Sequence, residues 1–525
     1  MPALTQRHDD SGKERLGTLA PVVEALIDDL AARDAVTRMW QGDHTLWQDD
    51  PTEVADRLGW LHVAGELSTQ APELAAFAAA ARADGLTDAV IMGMGGSSLF
   101  PEVLARSFEP SADHLRLHVL DTTDPAAVAR LGATVPLDAT LFVASSKSGG
   151  TIETRSHLAW ASELVGRPEQ FAVITDPGSA LAALAKERGF RAVFENRADI
   201  CGRYSALSHF GMVPAALAGI DVAALLEGAR VMAEGLAAGG DPHEHPGLRL
   251  GATLAAAAGV GRDKLTLVID PAVATFGLWL EQLIAESTGK DGTGVVPIAG
   301  EDVGPPDVYG HDRLFGAIGW HPALDALAGA GHPVVELPSE GPLGLGALVL
   351  LWEFATAMCG AALGINPFDQ PNVAEAKEAT ARVLDAGLPA IETEAVAPLL
   401  AQVQPGDYLA IQAYVDPAGP TVEALAGART ALRDELLVAT TFGLGPRFLP
   451  STGQLHKGGP PTGVFVQVVG PDPDDVEIPG AGYGFSTLKQ AQAAGDLETL
   501  RRRGLRVARV DLDELMAFAP GGGSR

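Results

Sequence analysis

The chain is 525 residues long, 47% hydrophobic and 20% charged, with 67 acidic against 37 basic residues and a formal net charge of −30. That length exceeds what one core serves, so several domains are expected, and so acidic a surface without an offsetting Lys/Arg cluster is unsuited to nucleic acid or anionic membranes. Two cysteines, Cys201 and Cys359, exclude a disulfide framework and fit a reducing cytoplasm.

Residues 1–15 are polar and lack an apolar h-region, so no signal peptide is expected there. Residues 1–80 read as helical. Val22, Val23, Leu26, Ile27 and Leu30 share one helical face, with Glu24, Asp28 and Asp29 outside it. The stretches 58–67 and 74–81 look helical as well. From residue 88 the texture changes. Short apolar runs recur at 89–92, 115–120, 140–143, 171–174 and 191–194, and helical segments such as 99–107 and 179–187 lie between them. This alternation predicts a doubly wound α/β domain over 81–220.

A second series of the same kind fills 221–400: helix 248–258, strand 264–269, helix 272–287, strands 295–298 and 333–337, and helix 343–363. The longest apolar stretch, 344–363, is broken by Glu353 and reads as a buried helix rather than a membrane span. A third, smaller α/β unit is expected over 401–525, with strands 408–414, 463–469 and 505–510 and a helix over 421–437. The Pro/Asp/Gly-rich segment 470–484 reads as a loop and 521–525 as a disordered tail.

The chemistry-bearing residues stand mostly where strands give way to helices. After the run 140–143 come Ser146, Lys147, Ser148, Gly149, Gly150 and Thr151, opening a helix. Hydroxyls, a cation, flexible backbone and a helix N-terminus converging on one point suit an anion, most often a phosphate. Gly93, Gly95, Gly96, Ser97 and Ser98 follow the run 89–92, and glycines at such a turn let a ligand approach the backbone. Alone that loop is as readily structural as functional. Two such loops in one domain can open on one crevice. Gly202, Arg203, Tyr204 and Ser205 form a polar loop whose arginine can present its fork to an oxyanion, although a lone loop arginine is more commonly a surface ion pair. Glu286 falls in the last turn of a helix that ends near Gly289. A carboxylate there opposes the helix dipole, which raises its pKa toward that of a general base. In isolation, a solvated helix-end glutamate is the plainer reading. Gln370 and Lys377, seven residues apart at the start of another helix, share a face.

Taken in order, GxGGSS, SSKSGGTxET, GRYS, ESTGK and FDQPxxxxxK over residues 93–377 resemble phosphoglucose isomerase, which is built from two sugar-isomerase (SIS) domains. The similarity leans toward the isomerase half of transaldolase–phosphoglucose isomerase fusions. The resemblance implies two flavodoxin-like, doubly wound parallel sheets, aldose–ketose interconversion of glucose 6-phosphate and fructose 6-phosphate, no metal and no other cofactor, a cytoplasmic setting and a homodimer. It also implies site roles. Ser146, Ser148 and Thr151, with Lys147, Ser97, Gly96 and Gly202, would hold the phosphorylated hexose. Glu286 would move a proton between C1 and C2 through a cis-enediolate. Arg203 would stabilise that anion, Gln370 would line the pocket, and Lys377 with a histidine would open the ring.

The chain departs from the family pattern in places. Ser148, Gly149 and Gly150 stand where the family has threonine and bulkier residues, and Thr288 where it has asparagine. His311, in the segment 309–312, is taken as the ring-opening histidine, with His321, His209 and His456 as rivals. The chain also continues well past Lys377, and the segment 443–459 is polar, cationic and glycine-rich, suited to a place near the pocket. Two other readings stay open: an isomerase of another phosphosugar such as mannose 6-phosphate, and a non-catalytic SIS-type sugar-phosphate sensor. The trio of Glu286, Arg203 and Lys377 argues against the sensor, and no GxGxxG or GxxxxGK[ST] pattern supports a nucleotide enzyme.

Overall fold

The computed structural model describes residues 13–518, so the tail expected at 521–525 and most of the polar segment 1–15 lie outside the described residues. Strand β1 (Lys13–Arg15) comes first among the described residues and pairs with the second of the three sheets they form. The first sheet holds β2 (Asp88–Met92), β3 (Arg116–Leu120), β4 (Thr140–Ser145), β5 (Phe171–Thr175) and β6 (Ala192–Glu195), all parallel in the order β3-β2-β4-β5-β6. Strands β2, β4 and β5 are buried along their whole length. Their continuous apolar runs are what a parallel strand covered by helices on both faces requires.

The second sheet contains β7 (Lys264–Ile269), β8 (Val296–Ile298), β9 (Arg313–Ile318) and β10 (Val334–Leu337), in the order β1-β10-β9-β7-β8. Only β1 runs antiparallel, with Lys13 opposite Glu336. Strand β9 is an interior strand that sequence reading passed over. It opens on Arg313 and carries Gly316 at its middle, so no β-branched run advertises it. Arg313 is nevertheless fully buried, donating to Thr266 Oγ1 at 2.6 Å and lying 3.5 Å from Glu301. The third sheet is parallel, in the order β12-β11-β13-β14, from β11 (Tyr408–Tyr414), β12 (Ala439–Leu444), β13 (Gly463–Val469) and β14 (Arg506–Arg509). Strand β12 also escaped notice, because Thr440, Thr441 and Gly443 dilute its apolar character.

The N-terminal helices Ala20–Ala32, Ala35–Trp40, Trp60–Ser68 and Ala71–Ala83 share one core with the first two sheets. In the first of these, Val23, Ile27 and Leu30 are buried, whereas Val22 is exposed and Leu26 only partly covered. The helix packs chiefly against Pro246–Gly259, so a narrow stripe carries most of its burial. Helix Leu345–Leu363 is long and apolar enough to cross a membrane by length and composition, but it is buried nearly throughout as the central core helix. Its Glu353 is fully buried, and neither carboxyl oxygen has a hydrogen-bond partner among the described residues. Burial pushes that carboxyl well above the usual range, so it sits in the core as the neutral acid.

The third unit is bolted to both others. Arg429 donates to the Ala299 carbonyl at 2.9 Å, and Arg433 donates to the Asp302 carbonyl at 2.6 Å. On the other side, Lys489, in the N-terminal part of helix Phe485–Arg502, reaches Asp124 of the first sheet's helix layer at 2.9 Å.

Candidate active site

Five loops meet between the first two sheets. The turn after β2, Gly95–Ser97, touches the turn Gly202–Tyr204: a Cβ on Gly96 would lie 1.9 Å from the Gly202 carbonyl oxygen, so only glycine allows the contact. Ser97 and Gly96 are buried beneath this crossing. After β4, Ser146 Oγ and Thr151 Oγ1 lie 3.0 Å apart, and the Gly149 amide donates to Ser146 Oγ at 3.2 Å. The Gly150 amide donates to Ser148 Oγ, also at 3.2 Å. Helix Ile152–Val165 starts at this loop and adds its N-terminal dipole. Lys147 turns away: it pairs with Asp176 and donates to the Ala198 carbonyl at 2.8 Å. In this structure the loop's hydroxyls and the helix end, rather than this lysine, lie together.

Arg203 is the hub. Its Nε donates to Ser287 Oγ at 2.8 Å, and Nη1 donates to Gln370 Oε1 at 3.0 Å and lies 3.1 Å from the Glu286 carboxylate. Nη2 donates to the carbonyls of Pro367 at 2.6 Å and Asp369 at 2.9 Å. Four of these contacts are hydrogen bonds and the fifth, to Glu286, is an ion pair, so every guanidinium nitrogen is engaged. Glu286 stands in the last turn of the helix Phe276–Thr288 and is almost fully buried. Its second oxygen accepts from Gln282 Nε2 at 3.1 Å. Burial raises its pKa, and the charges of Arg203, Lys290 and Lys377 pull the other way. The balance leaves a carboxylate less acidic than usual, able to take a proton and to return it.

The loop 366–370 closes the far side. Lys290 Nζ donates to the Asp369 carbonyl at 2.8 Å and its carboxylate at 2.6 Å, and burial lowers the lysine to about 8. Lys377, on helix Val373–Ala386, is exposed, and its charge acts on both Glu286 and Glu153. Gln370 joins the cluster through Arg203, but it precedes the helix, which begins at Val373, so the helical face expected to be shared with Lys377 does not form.

His311 is not brought into this cluster. It lies exposed on the turn entering β9, where its charge is felt by His332. The rivals are placed no better. His209 Nε2 lies 3.1 Å from Gln70 Oε1, and His321 Nδ1 accepts from the Ala323 amide at 3.2 Å. His456 is buried against Tyr408, Phe448 and Phe465, 3.2 Å from Gln412, and burial lowers it to about 3. It borders a cavity of about 190 Å³ whose lining includes Glu281 but not Glu286.

Sequence reasoning missed Gln282 and Lys290. Gln282 stands four residues before Glu286, the spacing that places two side chains on one helix face, and this was the available signal. The segment 443–459 does reach the site: the Pro450 carbonyl accepts from Gln282 Nε2 at 2.9 Å. Among the described residues, no group of His, Cys, Asp or Glu is arranged to hold a metal ion.

Two doubly wound parallel sheets joined across a buried carboxylate–guanidinium pair, with a hydroxyl-lined loop opening a helix, define an SIS-type α/β protein. The family model for phosphoglucose isomerase matches residues 75–301. Glucose-6-phosphate isomerase of Rubrobacter xylanophilus is 32% identical over 57% of this chain and 83% of its own length. That of Synechococcus elongatus is 31% identical over 63% of this chain and 71% of its own. A hypothetical protein from Thermus thermophilus, TT0462, superposes with a TM-score of 0.61 at 26% identity, over 71% of this chain and all of that one. A glucose-6-phosphate isomerase structure from Chlamydia trachomatis, at 20% identity and a TM-score of 0.60, shares the fold over 69% of this chain and 86% of its own. The chain belongs to the phosphoglucose isomerase family.

Proposed function

We propose that this protein interconverts glucose 6-phosphate and fructose 6-phosphate by proton transfer between C1 and C2. The observation that carries this reading is the buried Glu286, raised in pKa yet held against Arg203 at 3.1 Å. Removing the proton from C2 of the open-chain aldose sends the C–H electron pair into a C1–C2 double bond. The carbonyl pair then moves onto oxygen, giving a cis-enediolate. Passing the O2 hydroxyl proton to O1, re-forming the carbonyl at C2 and returning the abstracted proton to C1 gives the ketose. One poised base and a fixed positive charge beside the developing oxyanion suffice for this chemistry.

In this reading Ser146, Ser148 and Thr151 bind the phosphate with the helix N-terminus behind them, and Ser97 and the Gly96–Gly202 crossing shape the adjoining wall. Gln370 fixes the approach of Arg203, and Lys377 supplies a mobile cation at the rim for ring opening. None of the four histidines weighed lies in the Arg203–Glu286 cluster, which suits a histidine supplied by the second subunit of a homodimer.

The test is a coupled assay with fructose 6-phosphate supplied, glucose 6-phosphate detected through its dehydrogenase, and EDTA present. Turnover is expected in the native protein and is expected to vanish in Glu286→Gln, with sugar phosphate still bound. Normal turnover in that variant would remove Glu286 as the base. Binding without turnover in the native protein would favour a sensor.

A further inference from the structure

The family model ends at residue 301, and the third sheet lies wholly beyond it. One residue of that unit nevertheless sits between two parts of the catalytic frame. Gln454, on the short helix Gly453–Gly458, is fully buried. Its Nε2 donates to the Gly289 carbonyl at 3.0 Å and to Asn372 Oδ1 at 2.7 Å, and its Oε1 accepts from the Asn372 amide at 2.9 Å. Gly289 follows directly on the helix that carries Glu286, and a carbonyl at such an end has no partner within its own helix. Asn372 lies two residues beyond Gln370, at the start of the helix that carries Lys377. A single carboxamide therefore ties the base helix to the loop that anchors Arg203.

The neighbours of Gln454 leave it little freedom to shift. A Cβ on Gly289 would lie 2.5 Å from Leu455 Cα, so the two segments are in backbone contact. The Gly292 amide donates to the Gly458 carbonyl at 2.9 Å. Lys457 is paired with Asp496 at 2.7 Å, both buried, which ties the short helix to Phe485–Arg502. Pro450, four residues upstream, orients the Gln282 amide that also contacts Glu286.

We infer that Gln454 is a positioning residue for the isomerisation, and that the third unit is a working part of the active site rather than an appendage. This rests on the functional reading above. The phosphate loop lies in the first sheet's domain, away from Gln454, so loss of the brace is expected in turnover rather than in substrate capture. Gln454→Met keeps length and bulk but neither donates nor accepts. It is expected to lower kcat at least about tenfold, since small misplacements of reacting groups cost that much or more, with KM within about threefold. Thermal unfolding is expected to stay within a few degrees. Asn372→Ala, at a partly exposed position where folding is tolerant, is expected to lower kcat in the same direction, and the double variant to be no worse than Gln454→Met.

Native protein without turnover would overturn the functional reading itself. Native turnover matched by a folded Gln454→Met variant would overturn only the positioning role. If Gln454→Met does not fold, an unchanged kcat in Asn372→Ala overturns the role, and a lowered kcat at constant KM supports it.

Discussion

Replacing Arg203 by lysine keeps the charge and removes the fork. The guanidinium has five N–H donors and reaches five acceptors: it hydrogen-bonds Ser287, Gln370 and the carbonyls of Pro367 and Asp369 and is ion-paired with Glu286. An ammonium has three, on one atom, so at least two acceptors lose their partner in a site that is 1% exposed. At about 1–3 kcal/mol for each unsatisfied buried group, the loss is about 2–6 kcal/mol, concentrated on the turn Gly202–Tyr204 and the loop 366–370. Even the lower figure raises local opening about 30-fold. Hydrogen–deuterium exchange of peptides spanning 200–206 and 366–371 reads this directly, and kcat is expected to fall with it. The acid limb of the pH profile is expected to stay in place, because the positive charge beside Glu286 remains. Native exchange rates in both peptides, with native turnover, would refute the view that Arg203 organises these loops.

The charge of Lys377 lowers the Glu286 pKa, so Lys377→Met is expected to move the acid limb of kcat/KM to higher pH; a limb unmoved or shifted down would contradict the placement of that charge at the site. Glu353 has a folded-state pKa above its unfolded value, so the folded chain holds a proton the unfolded chain gives up, and stability declines as pH rises above about 4.5. Glu353→Met is therefore expected to raise the melting temperature, and by more at pH 8 than at pH 5. A stabilisation independent of pH would mean that packing, not ionisation, is responsible.

The loops of the site were legible because their chemistry is local. A run of apolar residues followed by glycines and hydroxyls shows where a strand ends and marks the turn as a candidate anion site. Arg203, Glu286 and Gln370 could each be picked out, but their meeting at one guanidinium depends on chain segments some 80 and 160 residues apart, and no periodicity reports that. Lys147 shows another limit: its place in the loop is local, but its ion pair with Asp176, on a neighbouring segment, has no sequence signal. Strands β9 and β12 were hidden because buried arginine, threonine and glycine replace the expected apolar run, and only long-range partners such as Glu301 make those residues acceptable inside. Gln454 has no signature of its own, since a glutamine is unremarkable in sequence and gains its meaning from the two backbones it joins.

Strand β1 has a consequence for how the chain is made. Residues 13–15 pair with residues 334–336, and Arg15 is ion-paired with Asp325 and Glu336. The earliest of the described residues to leave the ribosome must therefore wait for more than 300 others before its partner exists. At about 5–20 residues per second that wait is roughly 15–60 s. During it the strands of the first sheet, which all fall within 88–195, are already at hand to pair, whereas the second sheet cannot be finished. Until β1 arrives, β10 presents an open edge of unpaired backbone groups, the feature through which sheets of different chains find one another. A fusion or truncation that delays those three residues would act on assembly in the cell long before it acted on catalysis.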